Sequence, residues 1–133
     1  MPERPTVGWR HHLEEQRAQL RAGTLRECEG WALEAYTDSF IAAADSALAT
    51  FEQMLAQVDP QSDPAVLGAV QQVVLALNDI NTNHNDASFD TDEREQLCEY
   101  IDEALVGAGI DTEALAARHG LKRWEITDRW RDW

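Results

Sequence analysis

Apolar residues recur at spacings of three and four through the middle of the chain: Leu33, Tyr36, Phe40, Ile41, Ala44, Ala47, Leu48, Phe51, Met54, Leu55 and Val58. That recurrence follows the 3.6-residue turn and predicts an amphipathic helix of roughly seven turns. Thr24-Leu-Arg-Glu27 stands before it as a capping box, so the helix is expected from Thr24 to about Val58, with a bend at Gly30. Asp59 to Pro64 is a turn, because each proline biases its predecessor away from helix. Asp63 as N-cap and Pro64 at the first helical position then open a second helix. Its stripe is Val66, Leu67, Val70, Val73, Val74, Leu77 and Ile80, the most apolar in the chain, and it belongs at the centre of the core.

Asn81 to Asp90 has no period and reads as a loop. Asp90 or Thr91 caps the next helix, with Asp92 and Glu93 favourably placed at its positive end. Leu97, Ile101, Ala104, Leu105 and Ala108 form its buried stripe, with Cys98 and Tyr100 at the margins, and Gly107 and Gly109 stop it. The stretch from Asp63 to Ala108 is thus a helix pair on which the rest packs. Trp9 to Ala22 is a polar helix ended by Gly23, preceded by an arm over residues 1–7. Asp111 caps a short helix, Thr112 to His119, before Gly120. In the tail from Lys122 to Trp133, Ile126, Trp130 and Trp133 share one face of a docked C-terminal helix. No strand alternation and no repeat occur, so the expected fold is all-α, a single-domain helical bundle of five or six helices.

The 133 residues, 44% hydrophobic with five tryptophans, suffice for one core, which argues against disorder despite the charge. The start, Met-Pro-Glu-Arg-Pro-Thr, lacks the apolar run of a signal peptide, and no stretch approaches the eighteen or so apolar residues of a spanning helix. Cys28 and Cys98 lie within helical patterns and are expected as free thiols in the cytoplasm.

Charge narrows the choice of partners. Of the net −14, residues 27–117 contribute −18, with Arg94 their single Lys or Arg, while the flanks carry +4. Such a middle repels nucleic-acid phosphates and anionic membranes, so neither is expected as a partner. A basic protein is favoured, against the plainer alternative of an ordinary acidic domain. The partner-binding face is placed at Asp92, Glu95, Glu99, Asp102 and Glu103.

Motifs for chemistry are sparse. Asp79, Asn81, Asn83 and Asp90 fall at positions 1, 3, 5 and 12 of a calcium loop of the EF-hand kind. His84 replaces the glycine required at position 6, however, and no second hand exists. A calcium-like divalent-metal module is therefore an alternative to the protein-binding reading, whose simpler form has no cofactor. His11 and Glu15 share a face but lack further ligands, so a solvated histidine pair, His11 and His12, is the simpler reading. Asp45 borders the long apolar stripe and reads as its solvent edge rather than a functional carboxylate. No catalytic residue is assigned: no nucleophile motif, phosphate loop, His-Glu-x-x-His or Cys-x-x-Cys is present. A small enzyme remains only as a site assembled from distant parts. Trp124, Trp130 and Trp133 alternate with Arg123, Arg129 and Arg131, a pattern that serves single-stranded nucleic acid or interface hot spots. Given the acidic surroundings, the tryptophans are read as core edge and the arginines as partners for the acidic middle.

The segments Leu77-Asn-Asp-Ile-Asn81, Asp90-Thr-Asp-Glu-Arg-Glu-Gln-Leu-Cys98 and Glu125-Ile-Thr-Asp-Arg-Trp-Arg-Asp-Trp133 resemble small, acidic, uncharacterised bacterial proteins. Some such proteins act as immunity proteins of toxin systems. The resemblance implies a cytoplasmic, non-enzymatic inhibitor that covers the active site of a toxin, such as a basic nuclease. It transfers no functional residue to a numbered position here.

Overall fold

The computed structural model describes residues 2–23, 36–83 and 89–133. Among these residues six helices follow one another: α1 Pro5–Ala22, α2 Asp38–Leu55, α3 Asp63–Asn83, α4 Thr91–Gly107, α5 Thr112–Arg118 and α6 Glu125–Asp128. Among the described residues there is no strand, and the fold is the all-α bundle that the periodicity predicts.

α2 buries Phe40, Ile41, Ala44, Leu48, Phe51 and Leu55 along one face. α3 answers with Val66, Ala69, Val70, Val73, Val74 and Leu77. Among the described helices these two pack together most extensively; α1 closes on α2, α4 on α1, and α6 on α3. α2 does not run unbroken from the earlier segment. Thr37 has extended backbone (φ −113°, ψ 158°), and its hydroxyl accepts a hydrogen bond from the Phe40 N–H at 3.2 Å, which fixes the helix start there. Tyr36 is buried but not helical. The expected capping box at Thr24 to Glu27, with Gly30 and Leu33, lies outside the described residues.

Other boundaries move for local reasons. Ser62, not Asp63, caps α3: its Oγ accepts from Ala65 N at 3.4 Å and its carbonyl from Val66 N at 3.0 Å. The Asp63 carboxylate instead accepts from Arg118 Nε and Nη2, each at 2.8 Å, and meets His119 Nε2 at 3.2 Å, tying α5 to the start of α3. α4 ends in a Schellman motif, with Gly109 at φ 87° and Ile110 N donating to Leu105 O at 3.1 Å.

Both ends of the chain differ from expectation. The supposed arm over residues 1–7 enters α1 at Pro5, with Thr6 buried and Arg4 held by carboxylates of α2. The tail docks mainly through irregular backbone: only Glu125–Asp128 is helical. Asn78 clamps it, its Nδ2 donating to Trp130 O at 2.7 Å and its Oδ1 accepting from Asp132 N at 2.8 Å. Trp133 then closes the core edge-on to Phe89, 5.6 Å between centroids.

Candidate functional site: an acidic groove between α1 and α4

The inward stripe of α4 is Leu97, Tyr100, Ile101, Ala104 and Leu105, and one turn before Leu97 the same face carries Glu93. Helical geometry therefore drives a carboxylate into the protein, where it is 5% exposed. Its partner is the Tyr36 hydroxyl. Burial raises the Glu93 carboxyl above the ordinary range. The bond from its own backbone N–H opposes this in part, and the charges of Asp90 and Asp92 add to the rise. Tyr36 is likewise pushed up, by burial first and by Glu93 second.

Trp9 of α1 builds the adjoining wall. Its ring stacks on Tyr36 at 5.7 Å with planes 10° apart, and its Nε1 donates to Gln96 Oε1 at 2.7 Å, joining α1 to α4. Further along, the Tyr100 hydroxyl donates to Glu52 Oε1 at 2.5 Å. Arg4 reaches Glu52 at 2.9 Å and both oxygens of Asp45 at 3.1 and 3.2 Å, while Thr6 Oγ1 donates to Asp45 at 2.7 Å. Burial alone would raise both acids, but these bonds overcome it and hold Asp45 and Glu52 below their ordinary values.

Between these walls runs an open groove of about 1380 Å³. Glu3, Asp90, Asp92, Glu93, Glu99 and Glu103 line it, and Arg4 is the one arginine or lysine among its described lining residues. That arginine is already engaged by Asp45 and Glu52. Val7 and Gly8 of α1 also line it, and a Cβ placed on Gly8 meets nothing within 4 Å.

The five carboxylates expected to form one binding face divide between two strips of α4. Asp92, Glu99 and Glu103 border the groove. Glu95 lies outside it, beside Thr91, Arg94 and Cys98. Asp102 is compensated within the chain: Arg123 reaches its two oxygens at 2.8 and 2.6 Å. The sequence pattern missed Glu93, Tyr36 and Arg4. The signal for Glu93 was its position four residues before Leu97, which continues the buried stripe.

Three of the four residues of the calcium-like spacing are helical rather than loop residues. Asp79, Asn81 and Asn83 belong to α3. Alternate residues of a helix are about 200° apart, so Asn81 does not share a face with the other two. The Asn81 side-chain oxygen accepts from Phe89 N at 2.8 Å, and Asp90 precedes α4. His84 and Asp86 lie outside the described residues, and among the described ones no group of three or more His, Cys, Asp and Glu is arranged to hold a metal. His11 faces Glu15 at 3.6 Å on the surface. Asp45 belongs to the Arg4 network rather than to the groove lining.

In the tail, Trp124 is 65% exposed with Lys122 over its ring at 5.2 Å, and Arg131 pairs with Asp128 at 3.1 Å and approaches Cys98 Sγ at 3.5 Å. No described helix is long and apolar enough to cross a membrane. The groove thus offers a cation a set of carboxylates. Comparisons with family models, with curated proteins and with solved structures give no match.

Proposed function

We propose that this is a non-enzymatic protein-binding module, whose groove and adjoining α4 surface take a basic protein partner. One observation carries the reading: among the groove's described lining residues are six acids, with His11 and His12 beside them, and the one arginine or lysine, Arg4, is neutralised from within. A concave surface lined by one sign of charge focuses its field and steers an oppositely charged partner. Complementarity of this kind raises the association rate and rejects wrong partners more than it adds affinity. A cytoplasmic immunity protein that covers a basic nuclease toxin fits this chemistry and agrees with the resemblance of the α3, α4 and tail segments.

Affinity capture with the full chain should return a basic protein. The association rate constant of that pair should fall at least about tenfold between 50 and 500 mM salt, because screening shortens the reach of the field. An association rate indifferent to salt would overturn the reading.

A further inference from the structure

Beside the acidic groove, along α4 and the tail, lie two adjoining hollows that share Cys98 and Trp124. The one between α4 and α6 encloses about 230 Å³ and is backed by the buried Ile101, Leu105 and Ile126. Those three side chains are already dry, so the apolar surface on offer is that of Trp124, which is 65% exposed. A tryptophan held so far outside the core is unfavourable in water and favourable at an interface. The backbone around it is fixed on both sides. Arg123 donates to the two oxygens of Asp102 at 2.8 and 2.6 Å, Glu125 accepts from Lys122 N at 3.0 Å, and the Trp124 carbonyl accepts from Thr127 Oγ1 at 3.4 Å. An anchor positioned before binding loses less conformational freedom when it binds.

The size of the hollow selects what fills it. About 150 Å³ is enough for benzene, whereas cofactor and drug-sized sites start at about 300 Å³. One side chain of phenylalanine size fits. Charge selects its carrier. Glu99 lines both the hollow and the acidic groove, and Glu95, Glu99 and Glu103 are exposed at four-residue spacing along about 12 Å of α4. A second copy of this chain would bring another −14 against that strip and be repelled, whereas a basic helix complements it.

We propose that this face docks a basic amphipathic helix of the partner, with one phenylalanine-sized aromatic side chain seated in the hollow against Trp124 and lysines or arginines along Glu95, Glu99 and Glu103. This rests on the protein-binding reading and adds the anchor, which supplies affinity where the acidic groove supplies association rate. Two rings brought together remove apolar surface from water and gain further from offset or edge-on contact. The mode is that of an amphipathic helix laid along a groove.

The test uses the full chain and two capped helical peptides of about sixteen residues, built of alanine and lysine. They are identical except for phenylalanine or alanine at one central position of the apolar face, and each is titrated by calorimetry. The phenylalanine peptide should bind at least about tenfold more tightly. Trp124→Ala, which removes an exposed side chain and leaves the backbone bonds in place, should cut that ratio below about twofold without weakening the alanine peptide. The indole N–H resonance of Trp124 should shift on adding the phenylalanine peptide to the wild type. Glu95→Gln combined with Glu99→Gln and Glu103→Gln should weaken both peptides alike, by about threefold or more, and keep their ratio. Leu20→Ala, which trims an exposed side chain of α1, should change neither affinity. Melting curves establish that each variant is folded.

Equal binding or no binding of the two peptides, an undiminished ratio in Trp124→Ala, or unchanged affinities in the triple variant would each overturn the proposal. So would self-association of the chain that Trp124→Ala abolishes, since that assigns the face to a second copy. The broader reading has its own test in the salt dependence of the captured partner's association rate, and it stands or falls there whatever becomes of the anchor.

Discussion

Glu93 shows how one residue can work against the fold that holds it. Its folded carboxyl lies above the ordinary value of 4.5 and the unfolded one lies near it, so the folded state keeps the proton more tightly. Stability associated with this group is therefore present at acidic pH and is lost as pH rises from about 4.5 through the raised folded value. Glu93→Gln cannot ionise and keeps a polar partner for Tyr36. Its melting temperature should exceed that of the wild type at pH 7, with the gap closing near pH 4. A variant less stable than wild type at pH 7 would contradict the assignment. The residue was hard to read in advance because a glutamate in a first helical turn is ordinarily explained by the helix dipole. Burial was the stronger fact, and the distance of one turn from Leu97 was its only trace. Asn78 left no trace at all, since a single polar residue on a helix does not announce backbone partners 52 and 54 residues away.

At the scale of elements, the stripes of α2, α3 and α4 were legible because burial against a common core imposes the period directly. Boundaries were less so. Tyr36 lies four residues before Phe40 and extends the pattern, but its backbone is not helical; periodicity reports which side chains are buried, not where a helix begins. The tail failed similarly: Ile126 and Trp133 are buried at helical spacing, yet backbone held by Asn78 achieves this without a continuous helix. Asn78→Ala would delete both clamp bonds and strand the Trp130 carbonyl and the Asp132 N–H. Net values near 1 kcal/mol per bond suggest a loss of about 1–3 kcal/mol, measurable by urea unfolding. A loss below about 0.5 kcal/mol would mean that packing of Trp133 alone fastens the tail.

Across the whole molecule, charge was the feature that the sequence disclosed most and placed least well. The excess of −18 in residues 27–117 was countable, but its distribution between open groove and internal pairs depends on contacts such as Arg123 with Asp102, 21 residues apart. Such pairs are already counted in the net charge, and all of the −14 remains. Self-repulsion therefore opposes the compact state, and added salt should relieve it. The melting temperature at neutral pH should rise between about 10 and 200 mM sodium chloride, since the Debye length falls from roughly 30 Å to below 10 Å over that range. A fall would mean that pairs such as Arg118 with Asp63 outweigh the general repulsion.

The contact of Trp9 with Gln96 spans 87 residues, and those of Arg4 with Asp45 and Glu52 span 41 and 48. Contacts so distant along the chain incur their closure entropy before they return any stabilisation, which makes them late events in folding. One side of the cleft is thus assembled only when the first helix finally settles on the fourth. A half-folded copy has no cleft, so on the proposed reading capture of a partner would double as a certificate that the chain has finished folding.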